Sequence, residues 1–109
     1  LGQQAIAEAF GGNIENMKEV YHGVATKINC LKNDEIFDNI PELIEVGRYH
    51  SWIVKEPLPE DLIITSVDEN NQVMSLKHKK YPIRGVQFHP ESILTPYGKT
   101  IIKNWIETI

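Results

Sequence analysis

The sequence has 109 residues, of which 41% are hydrophobic and 24% are charged, and this balance is typical of one small globular domain rather than a disordered or collagen-like chain. The formal net charge is −4 and the 11 Lys and Arg residues are scattered, so nucleic acid is not an expected partner. No apolar run approaches the roughly 20 residues of a membrane helix and no signal-peptide pattern opens the chain, so we expect a soluble, cytoplasmic protein without a membrane partner.

The first third of the chain predicts one helix followed by extended structure. Apolar residues recur at helical spacing over 1–10 and predict a short helix. Gly11 and Gly12 follow it, and we expect the second glycine to take a positive φ at the C-cap. Residues 13–31 interleave sparse apolar side chains with polar ones, which favours strands. Residues 33–41 mix Asp, Asn and Pro with apolar side chains, which predicts a loop or a single helical turn that buries them.

The middle of the chain predicts several short strands. Residues 43–54 are rich in β-branched and aromatic side chains and indicate two strands that meet near His50, with Gly47 as a bulge or a break. Residues 62–67 and 73–76 predict two more strands. The Asp- and Asn-rich stretch between them is typical of a turn, so this pair is the clearest hairpin in the sequence.

The last third predicts a strand and a helix. Residues 83–88 form the strand, which ends at His89 because the following Pro90 has no N–H to donate. Thr95 is expected to be the N-cap of the helix and Pro96 its first residue. The helix carries one apolar stripe, formed by Ile101, Ile102, Trp105, Ile106 and Ile109. The order of the elements predicts a single α/β domain.

His89 and Glu91 are the first candidates for chemistry. They are two residues apart in a stretch predicted to be extended, so their side chains would point to the same side, and Pro90 between them would stiffen the backbone. A carboxylate that orients an imidazole is half of a nucleophile-base-acid relay. Spacing alone favours the plainer alternative, in which a His and a Glu end a strand at the surface.

The remaining candidates carry weaker signals. Cys30 lies in a predicted strand rather than at a helix N-terminus, so a small, half-buried apolar role is expected for it. His22, His50 and His78 show no metal-ligand spacing, and no zinc or other metal site is predicted. The polar and aromatic run over 49–52 fits either the edge of a ligand site or ordinary cross-strand pairing.

Two segments together carry a resemblance. Residues 1–12 (LGQQAIAEAFGG) and 85–92 (GVQFHPES) resemble the class I glutamine amidotransferases, in which the first segment is the nucleophile elbow with its helix and the second carries the His and Glu of a Cys-His-Glu triad. Residues 48–51 (RYHS) and 93–98 (ILTPYG) narrow the resemblance to component II of anthranilate synthase. The similar amidotransferase subunit of aminodeoxychorismate synthase stays open as an alternative.

The resemblance implies the C-terminal part of a flavodoxin-like, three-layer α/β domain with a mixed sheet. In the family the nucleophilic cysteine immediately precedes the segment that here begins at Leu1. We therefore expect residues 1–109 to be a partial amidotransferase domain that lacks the N-terminal strands and the nucleophile and is inactive alone. Cys30 lies far downstream without the elbow context and is no substitute.

The resemblance also implies roles for individual residues. His89 would be the general base and acid, and Glu91 its orienting partner. Four residues would bind glutamine or stabilise its oxyanion through side chain or backbone: Leu1, Gln4, Ser51 and Trp52. Trp52 stands where the family more often has leucine, a change that a backbone contact tolerates.

The implied reaction is glutamine hydrolysis through a γ-glutamyl thioester, with the ammonia passing to another subunit. That partner is component I of anthranilate synthase, which binds chorismate and uses Mg²⁺ in tryptophan biosynthesis; no cofactor or metal is expected in this chain. Residues 21–26 would form a loop that helps to couple partner binding to activity, or else an ordinary loop before a strand. A catalytically dead module that only binds a synthase is the alternative from a different class.

Overall fold

A computed structural model describes residues 2–17, 23–50 and 52–108. Within these ranges the elements follow in the order α1 (Gly2–Ala9), β1 (Asn13–Asn16), β2 (Val24–Cys30), a 3₁₀ turn (Glu35–Phe37), β3 (Leu43–Arg48), β4 (Trp52–Lys55), β5 (Leu62–Asp68), β6 (Val73–His78), β7 (Arg84–Val86) and α2 (Gly98–Glu107). The predicted first helix, the 3₁₀ turn and the hairpin of β5 and β6 are confirmed.

The strands form two sheets. Five of them lie in the order β3-β2-β5-β6-β7, and β1 pairs with β4 in a separate two-stranded sheet. The α/β class is confirmed. Every pairing among the described residues is antiparallel, so the parallel pairs that a mixed sheet requires are not found in this part of the chain.

Two apolar clusters hold the helices against the strands. One lies beside the 3₁₀ turn and α2, and it contains Ile28, Cys30, Ile36, Phe37, Ile40, Ile44, Val46, Met74, Phe88 and Ile101. The other lies beside α1, and it contains Ala7, Val54, Leu62, Val73 and Leu76. Neighbouring residues of β6 contribute to different clusters, because successive side chains of a strand point to opposite faces.

The end of α1 differs from the prediction in one residue. Gly11, not Gly12, takes the positive φ of 88°. Gly12 is required for a different reason, since a Cβ there would lie 2.9 Å from the Ala7 carbonyl oxygen and against the ring of Pro59. The chain therefore turns at the first glycine and passes close to its surroundings at the second.

Gly47 is neither a bulge nor a break. It lies within β3 in continuous register, opposite Ala25 of β2. A Cβ on Gly47 would come within 2.9 Å of the Ser92 Oγ and 3.0 Å of the Leu94 Cβ. The glycine is there because the segment after β7 crosses the strand at this point.

The C-terminal helix begins later than predicted. It starts at Gly98, and Tyr97 occupies the cap position without a side-chain hydrogen bond, so the prediction of Thr95 as N-cap is wrong. Ile101 of the apolar stripe is fully buried, whereas Ile106 is 63% exposed. Ile109 lies outside the described residues. The helices of the described part of the chain are too short and too polar to cross a membrane.

Candidate active site around His89

His89 and Glu91 are in direct contact just after β7. The His89 Nδ1 lies 2.7 Å from the Glu91 Oε1, and the two side chains are 47% and 64% exposed. Because a carboxylate only accepts hydrogen bonds, Nδ1 carries the hydrogen and Nε2 is left for proton transfer. The imidazole of His89 is thus oriented as a base that needs a nucleophile beside it.

The backbone between the two residues is a turn, and the predicted extended geometry is wrong. β7 ends at Val86, and the Ser92 N–H donates to the His89 carbonyl at 3.2 Å. Proline suits the second position of such a turn because its ring fixes φ. Pro90 therefore brings the His89 and Glu91 side chains together by bending the chain instead of by stiffening a strand.

The turn is fastened to β3 by three hydrogen bonds. The His89 N–H donates to the Gly47 carbonyl at 3.0 Å. The Thr95 hydroxyl donates to the His89 carbonyl at 2.7 Å and accepts from the Gly47 N–H at 2.9 Å. Thr95 is 5% exposed, so these bonds lie in the interior. Its hydroxyl bridges the base-bearing turn and the strand, which explains why it does not cap α2.

The first residue of α2 also supports this turn. A Cβ on Gly98 would lie only 1.7 Å from the carbonyl oxygen of Pro90, so no other residue fits there without movement of the backbone. The helix start and the His89–Glu91 turn are consequently packed against each other.

Tyr49 forms one wall of the site. Its ring meets the His89 ring edge-on, with centroids 4.8 Å apart, and its hydroxyl lies 3.0 Å from the Ser92 Oγ. Together with Glu91 and the 96% exposed Ile93, these residues line an open depression on the surface. Sequence reasoning placed Tyr49 only within an ambiguous polar and aromatic run; its contact with His89 joins residues 40 positions apart and leaves no local pattern.

Gln4 connects the first helix to this region. Its Nε2 donates to the Trp52 carbonyl at 3.0 Å and, more weakly, to the Gln87 Oε1 at 3.4 Å. Both partners are oxygens, so the amide nitrogen must face them. Gln87 is 3% exposed and also accepts from Gln3 at 3.3 Å. Sequence reasoning missed Gln87, although it lies within the segment that carries His89.

Some of the predicted site residues cannot be placed. Leu1 and Ser51 lie outside the described residues, as do residues 21 and 22 of the expected coupling loop. The end of that predicted loop, residues 24–26, belongs to strand β2. Among the residues expected to bind glutamine, the structure brings Gln4 and Trp52 into contact.

Cys30 has the surroundings of an inert thiol. It is fully buried, and burial is the main reason why its pKa is raised to about 11. Because the thiolate is the nucleophile, Cys30 is unreactive at neutral pH. In the part of the chain that the structure describes, no group of three or more His, Cys, Asp or Glu side chains converges as a metal site would require.

Comparison with known sequences extends these observations to the whole chain. The sequence pattern of the family described as Glutamine amidotransferase class-I matches residues 1–109. The chain is 47% identical to anthranilate synthase component 2 of Methanocaldococcus jannaschii, an alignment that covers 99% of this chain and 58% of that protein. It is 40% identical to aminodeoxychorismate/anthranilate synthase component 2 of Bacillus subtilis, covering 99% of this chain and 56% of that protein.

A solved structure has the same fold. A crystal structure of a Thermoplasma acidophilum protein, named for one component of GMP synthase, matches with a TM-score of 0.87 and 33% identity, over 96% of this chain and 52% of that one. The chain thus spans about half the length of the relatives that it matches. Because the family pattern covers the chain from end to end, the protein belongs to the class I glutamine amidotransferase family.

Proposed function

We propose that this chain carries the His-Glu part of a Cys-His-Glu glutaminase, the amidotransferase subunit of anthranilate synthase in cytoplasmic tryptophan biosynthesis. The observation that carries the proposal is the 2.7 Å contact between the His89 Nδ1 and the Glu91 Oε1, which leaves Nε2 for proton transfer. The names of the Methanocaldococcus and Bacillus relatives support anthranilate synthase as the enzyme.

The proposed reaction uses His89 as base and then as acid. In the full-length protein, the cysteine that the family places before Leu1 gives its proton to the His89 Nε2 and attacks the side-chain amide carbon of glutamine. The C–N bond breaks, His89 returns the proton to the nitrogen, and ammonia leaves. Water then attacks the γ-glutamyl thioester and gives a proton to His89, which passes it to the thiol as glutamate is released.

The other predicted residues fit into this scheme as binding groups. The backbone N–H of Leu1 would stabilise the oxyanion, a kind of contact whose removal typically costs about 100-fold to 1000-fold in rate. Gln4, Ser51 and the Trp52 backbone would hold the glutamine. In this proposal residues 1–109 form a partial domain whose nucleophile precedes Leu1.

The proposed partner is the chorismate-binding component I, which receives the ammonia and uses Mg²⁺. The name of the Bacillus relative also favours a second candidate, the amidotransferase subunit of aminodeoxychorismate synthase. The product made from chorismate and glutamine with the natural partner separates the two candidates: anthranilate supports the first, and aminodeoxychorismate the second.

The test is His89→Ala in the full-length protein, assembled with its synthase. We expect glutamine-dependent synthesis to fall by about 100-fold or more, because a positioned acid-base group contributes at least that much. Synthesis from added ammonia should stay at the wild-type level, which also shows that the complex is intact.

Two other outcomes would reject this role. Loss of both activities would mean that His89 supports assembly rather than glutaminase chemistry. A full-length wild-type protein that binds its synthase and releases no ammonia from glutamine would instead support the non-catalytic binding module.

A further inference from the structure

A buried ion pair lies at the end of β3, next to the candidate site. Arg48 is 1% exposed, and its Nη1 lies 3.0 Å from the Asp68 Oδ2. The other carboxylate oxygen, Oδ1, accepts the N–H groups of Asn70 and Gln72 at 2.9 and 2.8 Å. Asp68 is therefore fixed by the turn of the β5–β6 hairpin, and it fixes the Arg48 guanidinium in turn.

Arg48 determines which nitrogen of the His50 ring carries the hydrogen. The Arg48 Nε donates to the His50 Nε2 at 2.9 Å. A guanidinium has no acceptor, so Nε2 must be the unprotonated nitrogen. The His50 Nδ1 lies 3.0 Å from the Trp52 carbonyl oxygen, which has no hydrogen to give. His50 is thus a neutral ring that donates from Nδ1.

The Trp52 carbonyl receives a second hydrogen bond from the other side of the site. The Gln4 Nε2 donates to the same oxygen at 3.0 Å. A carbonyl oxygen has two lone pairs, and His50 and Gln4 together use both. The orientation of this peptide group is consequently set by two side chains, one from α1 and one held by the Arg48–Asp68 pair.

We infer that His50 is a positioning residue for glutamine binding, which holds the Trp52 carbonyl and with it the backbone that the substrate contacts. This inference rests on the proposed function, which assigns the Trp52 backbone to the glutamine site. His50 itself is 9% exposed and acts through Trp52, without touching the substrate.

The ionisation of His50 agrees with this geometry. Burial, and then the positive charge of Arg48, lower the pKa of His50 to about 4. At neutral pH the ring therefore stays in the form that accepts from Arg48 and donates to Trp52.

The test compares three variants of the full-length protein assembled with its synthase. His50→Leu removes the donor to Trp52 and should raise the KM for glutamine by about 10-fold, the change expected when a buried hydrogen bond is lost. His50→Asn keeps an N–H donor near the position of Nδ1 and should stay within about threefold of wild type.

His78→Leu is the matched control. His78 is 8% exposed, nearly the same as His50, but its Nδ1 accepts from the backbone N–H groups of Lys80 and Tyr81, within its own turn. Its loss should lower the melting temperature and leave the KM for glutamine unchanged. Ammonia-dependent synthesis should be unchanged in all three variants.

The inference is overturned if His50→Leu raises the KM no more than His78→Leu does, while wild-type glutaminase activity stands. Absence of glutaminase activity in the wild-type complex would instead reject the proposed function. Nitrogen-15 NMR of the wild-type full-length protein gives a check that needs no variant to fold. The Nδ1–H form of His50 supports the inference, and the Nε2–H form overturns it.

Discussion

Two histidines near the candidate site differ because their neighbours differ. His89 is about half exposed and faces the Glu91 carboxylate, an arrangement that favours a ring able to take up and release protons. His50 is buried and faces the Arg48 guanidinium, which keeps the ring neutral and makes it a fixed donor. The same side chain thus serves proton transfer at one position and positioning at the other.

At the residue scale, the low pKa of His50 predicts an acid-sensitive fold. The pKa is about 4 in the folded protein, against an ordinary value of 6.5 in the unfolded chain. Above pH 6.5 both states are neutral and the folded state keeps its full stability. Between pH 6.5 and about 4 only the unfolded chain takes up the proton, so the free energy of unfolding should fall by up to about 1.4 kcal/mol per pH unit.

Urea unfolding of the full-length protein at pH 7 and pH 5 measures this dependence. The His50→Asn variant has no titrating ring at this position and should show a shallower loss between the two pH values. An equal loss in wild type and variant would show that His50 is not the group responsible.

At the scale of elements, the segment between β7 and α2 is held by contacts that reach across the sequence. The Thr95 hydroxyl binds the Gly47 N–H, 48 positions away, and also the His89 carbonyl. Gly98 lets the start of α2 approach the carbonyl of Pro90. The position of the His89 side chain therefore depends on strand β3 and helix α2 as well as on its own turn.

Thr95→Val tests this arrangement with almost no change in shape. The substitution leaves two buried backbone groups without their partner, so the free energy of unfolding should fall by about 1–3 kcal/mol. Glutamine-dependent activity should fall further than ammonia-dependent activity, because the turn that carries His89 loosens.

Thr95→Ser is the control, since it keeps the hydroxyl and loses only a methyl group. Denaturant unfolding and the two activity assays should place it close to wild type. If Ser and Val at this position behave alike, the hydroxyl does not hold the turn.

The same elements show what the sequence could and could not predict. Helix α1 and the β5–β6 hairpin were predictable because their signals, helical spacing and a turn between two apolar runs, are local. Thr95 before Pro96 has the local pattern of a helix start, yet a distant strand takes the hydroxyl. Gly47 in a strand suggested a bulge, but the approach of a segment that lies 45 positions later explains it.

At the scale of the whole molecule, the candidate site lies where separate parts of the fold meet. Helix α1 brings Gln4, the beginning of β4 brings the Trp52 carbonyl, and the segment after β7 brings Gln87 and His89. Strand β3 supports this assembly through the Gly47 backbone. The family resemblance predicted which residues belong to the site, whereas the long-range hydrogen bonds that hold them are evident only in the folded chain.

The central claim is that His89 activates a cysteine that precedes Leu1 for attack on glutamine. The most direct measurement treats the natural full-length protein with a glutamine analogue that carries a diazoketone in place of the side-chain amide, and maps the labelled peptide by mass spectrometry. We predict a single label on the cysteine directly before Leu1, formed about 100-fold or more slowly in His89→Ala. A label on Cys30, or an equal labelling rate in His89→Ala, would contradict the claim.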